Sequence, residues 1–288
     1  MPELPEVEVV KKSLESQINN LTIKSVKIND GNLRYKVKKH DFTKVIGLKV
    51  VKIKRRSKYL LFVLNKDFII IAHLGMTGKF YILDKKKMKK KTSFYYNLKD
   101  CNHKHNRIIF IFDNKIQLIY NDIRKFGFLK VISDNDITNN KHLKLLGPEP
   151  FSKLYNIEYF KEYLFGKKRT IKDILMDQKF LAGLGNIYVN EILFLSNIKP
   201  YKKVDKLGNH EIKKIITNTR NVLKKAIILG GSSIKNFANI SGIQGNFQQH
   251  FNVYGKKGQK CSNSDCSGKV KKIVISKRAS FFCPKCQK

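Results

Sequence analysis

Four cysteines crowded into the last 28 residues constrain this chain more tightly than any other feature. Cys261 and Cys266 are separated by four residues, Cys283 and Cys286 by two, and the pairs by sixteen. Two knuckles at this spacing converge to give tetrahedral thiolate ligation of one zinc ion. All four positions are filled by protein and none is left for water, so the metal is structural and the chemistry lies elsewhere. Between the pairs, Val270–Ser276 and Phe281–Phe282 read as strands flanking a turn at Lys277-Arg278-Ala279, which presents Arg278 at the tip of a hairpin. The clustering suits a metal site in a reducing compartment better than a disulfide framework, and Cys101 reads as an ordinary free thiol.

The other 260 or so positions divide by hydrophobic period. Val7, Val10, Leu14 and Ile18 fall three and four apart and predict an amphipathic helix from about Glu6 to Asn19. From Leu21 to about Val131 the chain turns to short β-branched and aromatic runs: Val45–Ile53, Tyr59–Leu64, Phe68–Ala72, Ile108–Phe112 and Ile116–Tyr120, the last two joined by a turn at Asp113-Asn114. These predict a β-sandwich. After a polar stretch and Gly147-Pro148-Glu149-Pro150 the pattern becomes helical; Ile212, Ile215, Ile216, Val222, Leu223, Ala226 and Ile227 keep helical spacing up to Gly230-Gly231. The expected class is α+β: an N-terminal β-sandwich domain over 2–132 with its flanking helix, a linker over 133–150, a helical domain over 151–253 and a zinc-finger β-hairpin over 254–288.

A formal net charge of +37, from 59 Lys and Arg against 22 Asp and Glu, points to a polyanionic partner, nucleic acid first, because neutralising phosphates releases condensed counterions. Part of that excess reflects AT-rich coding, and the run Lys85 to Lys91 reads as a solvated loop. No stretch reaches the roughly twenty apolar residues needed to span a bilayer, and the N-terminus lacks a signal-like pattern, so a soluble cytoplasmic protein is expected.

Methionine is commonly removed before proline, which makes Pro2 the expected mature N-terminus. An α-amino group titrates near 8 and a lysine amine near 10.4, so at pH 7 roughly a tenth of the former is neutral and nucleophilic. A secondary amine attacking C1′ of a nucleotide gives an iminium ion, from which both base loss and strand scission follow. The string Pro2-Glu3-Leu4-Pro5-Glu6-Val7-Glu8 resembles the N-terminus of the formamidopyrimidine-DNA glycosylase family. The resemblance implies Pro2 as nucleophile and Glu3 as proton donor.

The resemblance runs through nearly the whole chain. Arg55-Arg56-Ser57-Lys58-Tyr59-Leu60-Leu61 is similar to the segment that carries a catalytic lysine, here Lys58, assigned to proton transfer in β-elimination. His73-Leu74-Gly75-Met76-Thr77-Gly78 and Asn121-Asp122-Ile123-Arg124-Lys125-Phe126-Gly127 look like the two loops that enter the duplex. Met76, Arg124 and Phe126 would then fill the vacancy left by an everted base, a requirement of any enzyme that takes its target out of the stack. Read alone, Met76 and Phe126 would be core residues. The family usually has proline and a second arginine where this chain has Ile123 and Lys125.

His105 matches a DNA-contacting histidine, and Lys168 falls on a phosphate-binding lysine, with Lys167 and Arg169 as alternatives. Asp177 to Tyr188 resembles the helix-two-turn-helix, whose glycine-rich turn brings backbone N–H groups and Asn186 to a phosphate. Arg278 matches a zinc-finger arginine assigned to phosphate binding and δ-elimination. Asn236–Asn252 is similar to the loop that closes over an everted 8-oxoguanine.

The resemblance implies a monomeric, zinc-containing enzyme that removes 8-oxoguanine and formamidopyrimidines from double-stranded DNA and cuts the strand by β,δ-elimination. The nearest alternative is the endonuclease-VIII type, which prefers oxidised pyrimidines; Leu4 and the segment 236–252 favour the purine enzyme. Two others stand further off: a DNA-binding relative without chemistry, opposed by Pro2, Glu3 and Lys58 together, and an RNA-processing protein with a zinc ribbon.

Overall fold

A computed structural model describes residues 2–84, 86–93, 96, 98–232 and 247–288. They form two compact units. The first comprises residues up to Lys144 together with a return of the chain from Leu229, and the second comprises Leu145–Ile228 and Phe247–Lys288. The division falls inside the polar and proline-bearing stretch 133–150. The return at Leu229 follows a helix that carries no sequence sign of it.

In the first unit α1 (Leu4–Ile18) is followed by β1 (Ile23–Ile28), α2 (Lys39–Thr43), β2 (Val50–Arg56), β3 (Tyr59–Leu64), β4 (Phe68–His73), β5 (Lys79–Leu83), β6 (Lys89–Lys91), β7 (Asn106–Phe112), β8 (Gln117–Asn121) and β9 (Phe128–Ser133). The strands make two antiparallel sheets, in the orders β1-β7-β8-β5-β6 and β2-β3-β4-β9. Phe62, Ile70 and Leu60 of one sheet and Phe80, Phe110 and Leu118 of the other share a core with Val7, Val10, Leu14 and Ile18 of α1. The sandwich and its helix are as the periodicity predicts. Several boundaries differ, and Lys89–Lys91, within the run expected as a solvated loop, pair with β5 as strand β6. The first helix starts at Leu4, because Glu3 and Glu6 form a reciprocal capping box that holds its first turn. The strand expected from Val45 starts at Val50, since Val45–Leu48 turn through Gly47 at a φ of +82°.

The second unit contains α3 (Ile157–Leu164), α4 (Ile171–Met176), α5 (Asn186–Leu195), α6 (Asn209–Ile228), β10 (Lys271–Ile275) and β11 (Arg278–Phe282). Helix α5 is buried on nearly every side and packs against α4, α6 and β11, consistent with its apolar sequence. The hairpin differs from expectation by one position. Ser276 and Lys277 both have positive φ, 46° and 62°, which is the two-residue turn that matches strand twist, and Ile275 pairs with Arg278. Arg278 therefore opens β11 beside the turn and is not its tip. Among the described residues no helix is long and apolar enough to cross a membrane.

Candidate active site and nucleic-acid interface

In the first unit, Pro2 and Glu3 lie buried at the start of α1. The Glu3 N–H donates to Glu6 Oε2 at 2.8 Å. The other oxygen of Glu6 accepts the backbone N–H of Ser232 at 2.7 Å and its hydroxyl at 3.0 Å. One buried carboxylate thus joins the chain's first turn to the segment that returns after α6. Most of the segment 236–252, residues 236–246, lies outside the described residues; Phe247–His250 form a 3-10 turn in the second unit.

Lys58 occupies the β2–β3 hairpin, a two-residue turn closed by pairing of Arg56 with Tyr59. Ser57 supplies its left-handed residue at a φ of +55°. The side chain of Lys58 is only 7% exposed, unusual for a hairpin lysine among so many surface ones. The turn is held from α1: Arg55 donates through Nε to Glu8 Oε2 at 2.7 Å and through Nη1 to the Ser57 carbonyl at 3.0 Å. His73, at the end of β4, accepts the Gly75 N–H on Nδ1 at 3.1 Å, so its remaining proton sits on Nε2. Burial first, then the charges of Lys58 and Arg34 and the nearby His142, hold its pKa down at about 4.

Met76 and Phe126 are 43% and 46% exposed, although both are large and apolar. Their loops are locked to each other beneath those side chains. Thr77 Oγ1 donates to Asp122 Oδ1 at 2.5 Å and accepts the Arg124 N–H at 3.0 Å. Asp122 is fully buried, and its Oδ2 accepts the Gly127 N–H at 2.9 Å and the Tyr120 hydroxyl at 3.2 Å. A Cβ on Gly75, whose φ is +61°, would stand 2.5 Å from both the Phe126 carbonyl carbon and the Gly127 nitrogen, so only glycine allows this approach. The Arg124 guanidinium lies over the Phe126 ring at 4.5 Å, which pre-forms the projecting pair. Lys125 has a φ of +59° and its Nζ is 2.8 Å from Asp30 Oδ2. Cross-bracing through Asp122 thus holds this loop in place although Ile123 stands where the resemblance implies proline.

His105 lies in a 3-10 turn, His103–His105, opened by Asn102, whose side chain accepts the Lys104 N–H at 3.0 Å. His103 in the same turn is the more exposed of the two histidines.

In the second unit the segment Asp177–Gly185 turns back on itself around one side chain. Gln178 Oε1 accepts the Gly183 N–H at 2.9 Å and its Nε2 donates to the Leu184 carbonyl at 2.8 Å. These two bonds fix the turn that leads into α5 at Asn186. Asn186 Nδ2 also donates to the Ala279 carbonyl at 3.0 Å, next to Arg278. Lys172, 1% exposed, donates to the same carbonyl at 2.8 Å and to Ser280 Oγ at 2.6 Å, and Asn190 Oδ1 accepts the Phe281 N–H at 2.6 Å. Burial, then the charge of Arg278, brings the Lys172 pKa down to about 8. Three side chains from α4 and α5 therefore strap β11 in place while Arg278 itself stays exposed. Both Arg278 and Arg169 line a cleft of about 520 Å³ in this unit.

Of the three adjacent cations, Lys167 donates to the Tyr163 carbonyl and Arg169 pairs with Asp177 at 2.9 Å. Lys168 is exposed and makes no hydrogen bond or ion pair among the described residues.

The four cysteine sulfurs lie within 4.8 Å of one another, with Cys261–Cys286 at 3.6 Å and Cys266–Cys283 at 3.7 Å. Zinc–thiolate bonds of about 2.3 Å in tetrahedral array require sulfur separations of about 3.8 Å, so the donor set fits. These thiolates form a structural zinc site, and the longer Cys261–Cys266 knuckle does not spoil its convergence. A Cβ at Gly268 would come 2.7 Å from Cys283 Sγ, so glycine is required where the chain passes the sulfurs.

Sequence reasoning names none of Glu6, Glu8, Thr77, Asp122, Arg107 or Lys172 as site residues, although Glu6, Glu8, Thr77 and Asp122 stand inside the motifs that carry the resemblance. A buried partner announces itself only in three dimensions.

Residues 1–129 match the formamidopyrimidine-DNA glycosylase N-terminal domain, 146–238 its H2TH domain, and 258–288 the zinc finger found in FPG and IleRS. The formamidopyrimidine-DNA glycosylase of Rickettsia massiliae is 38% identical, covering 100% of this chain and 97% of that protein. Its Bartonella tribocorum counterpart is 37% identical and both chains are covered fully. A Lactococcus lactis FPG mutant in complex with DNA containing Fapy-dG matches with a TM-score of 0.85 at 35% identity over 100% of both chains. Lactococcus lactis Fpg bound to DNA containing an abasic site gives the same score and identity over 99% of each. Three successive domain matches, and relatives identical at more than a third of positions along the full length, place this chain in the formamidopyrimidine-DNA glycosylase family.

Proposed function

We propose that this protein excises 8-oxoguanine and formamidopyrimidines from double-stranded DNA and then cuts the strand at the resulting abasic site, acting as a monomer. The observation that carries the reading is the pair of exposed apolar residues, Met76 and Phe126, on cross-braced loops of the unit that also holds Pro2, Glu3 and Lys58. Apolar side chains held out in water on a rigid mount suit insertion into a base stack, where the vacancy of an everted nucleotide must be filled. In this reading residues 2–132 carry the chemistry, 133–150 connect, and 151–253 with 254–288 hold the backbone through Lys168, Asn186 and Arg278. His105 adds a phosphate contact from the first unit.

With Met1 removed, the Pro2 nitrogen lone pair bonds to C1′ and the glycosidic electron pair leaves with the base. Glu3 delivers a proton to O4′ as the sugar opens, leaving an iminium cation. Lys58 assists removal of the C2′ proton, whose electrons expel the 3′ phosphate. Loss of a C4′ proton then expels the 5′ phosphate, with Arg278 holding that anion. Water finally hydrolyses the iminium and restores the amine. The zinc ion folds the hairpin on which Arg278 is mounted and supplies no reaction step.

Borohydride trapping tests the mechanism, because only an iminium is reduced to a stable protein–DNA adduct. Wild type should trap on 8-oxoguanine duplex in preference to thymine glycol duplex, and Pro2→Gly and Glu3→Gln should not. Absence of any adduct from protein shown to lack Met1 would sink the proposal; preference for thymine glycol would favour the endonuclease-VIII reading.

A further inference from the structure

Arg107 occupies an unusual position. The β7–β8 register passes from Asn106↔Asn121 directly to Ile108↔Tyr120, so Arg107 is the extra residue of a β-bulge, a device that re-aims a side chain. Re-aimed, it is 6% exposed and serves three acceptors. Nε donates to the Asp122 carbonyl at 2.8 Å, Nη1 to Asp30 Oδ2 at 2.8 Å, and Nη2 lies 3.3 Å from His105 Nδ1. The same Asp30 oxygen takes Lys125 Nζ at 2.8 Å. The Arg107 carbonyl in turn accepts the N–H groups of Asn29 and Asp30 at 2.9 and 3.3 Å, so the bulge is tied into the end of β1.

A guanidinium has donors only, so His105 Nδ1 must be the acceptor and the proton of the neutral ring must sit on Nε2. Protonating the ring would turn an N–H toward the guanidinium. Burial first, then the charges of Arg107 on β7, Lys104 in its own turn and Lys79 on β5, oppose protonation of this imidazole. Of the two acids beside this network, Asp30 is paired with Arg107 and Lys125, and Asp122, whose N–H donates to the His105 carbonyl at 3.0 Å, has its carboxylate taken up by Thr77, Tyr120 and Gly127.

We propose that Arg107 is a positioning residue that fixes His105 as a neutral Nε2–H donor toward the DNA backbone and anchors the Lys125 end of the wedge loop to the same buried post. The proposal rests on the reading that His105 contacts phosphate. A neutral donor adds directional affinity that is insensitive to pH near neutrality and displaces no counterion of its own. Lys125 Nζ is paired with Asp30 within the protein and so is held to the same post.

The test begins with imidazole nitrogen resonances of the zinc-loaded wild-type protein, a measurement that needs no variant to fold. His105 is expected as the Nε2–H tautomer, titrating below the ordinary histidine value of about 6.5. In Arg107→Gln the tautomer preference should be lost and the titration should move up to that value. With an abasic-site duplex at pH 7.5, His105→Ala should weaken binding about threefold to tenfold, the worth of one neutral hydrogen bond. The slope of log Kd against log salt should stay unchanged. An Nδ1–H tautomer, a wild-type titration at or above 6.5, or a slope reduced by about 0.9 would overturn the proposal. If the wild-type ring behaves as expected and His105→Ala binds DNA normally, the phosphate assignment of His105 fails while the hold of Arg107 on the ring stands.

Discussion

The hydroxyl of Thr77 donates to the buried carboxylate of Asp122 at 2.5 Å, and this one bond joins the loop bearing Met76 to the loop bearing Arg124 and Phe126. Asp122 also accepts from Tyr120 and Gly127, so its removal strands several buried donors at once. Asp122→Ala is expected to destabilise the protein by about 3 kcal/mol, read as a drop in denaturation midpoint. Thr77→Val keeps the volume and loses the link; it should slow base eversion about tenfold, measured by a fluorescent base analogue beside the lesion, with a smaller effect on stability.

The hairpin of Lys58 depends on α1 through Arg55, which joins Glu8 to the Ser57 carbonyl. Glu8→Gln removes the charge of that pair and should lower the strand-scission rate on a preformed abasic site about fivefold to tenfold while leaving duplex affinity within twofold. Equal losses in affinity and rate would show instead that Glu8 acts through the general stability of α1.

Metal removal should act on the hairpin as a unit, because binding free energy of a four-thiolate site is folding free energy for so small a module. Chelation is expected to raise the count of reactive thiols by four, from Cys261, Cys266, Cys283 and Cys286, and to abolish strand cutting; added zinc should restore both. Chelated protein that cuts at the wild-type rate would exclude a need for the ordered hairpin.

His73 has a folded-state pKa near 4, below its unfolded value of about 6.5. Between those values the unfolded chain binds more protons, so stability is full above pH 6.5 and is lost as pH falls toward 4. His105 and His142 are shifted in the same direction, each by burial first. His73→Gln should flatten this part of the stability–pH curve in urea titrations at pH 7, 6, 5 and 4. An unchanged slope would mean the ring is not held neutral.

Much of this architecture is legible in the amino-acid sequence, for reasons that differ by region. The short β-branched and aromatic runs of β3, β4, β7 and β8 and the stripe Val7, Val10, Leu14 announce what they bury. The cysteine spacing does the same for the metal. Met76 and Phe126 show the limit: nothing in their apolar character distinguishes a core residue from a wedge, and only the motif around them points outward. Arg278 stands one position from its expected place because Ser276 and Lys277, neither of them glycine, take the left-handed turn. Asp122 and Arg107 are silent in the sequence because a buried charge reveals its role only through partners distant along the chain, 77 positions away for Arg107 and Asp30.

The close passage of Gly75 against the Phe126 backbone has a practical consequence for protein engineering. Frame and payload are separable in this region: Gly75, Thr77, Asp122 and Gly127 hold the two loops together, while the side chains at 76, 124 and 126 project from the frame without supporting it. A combinatorial library restricted to those three projecting positions should stay folded across most of its members, and so allows their proposed role in DNA to be varied without disturbing the fold.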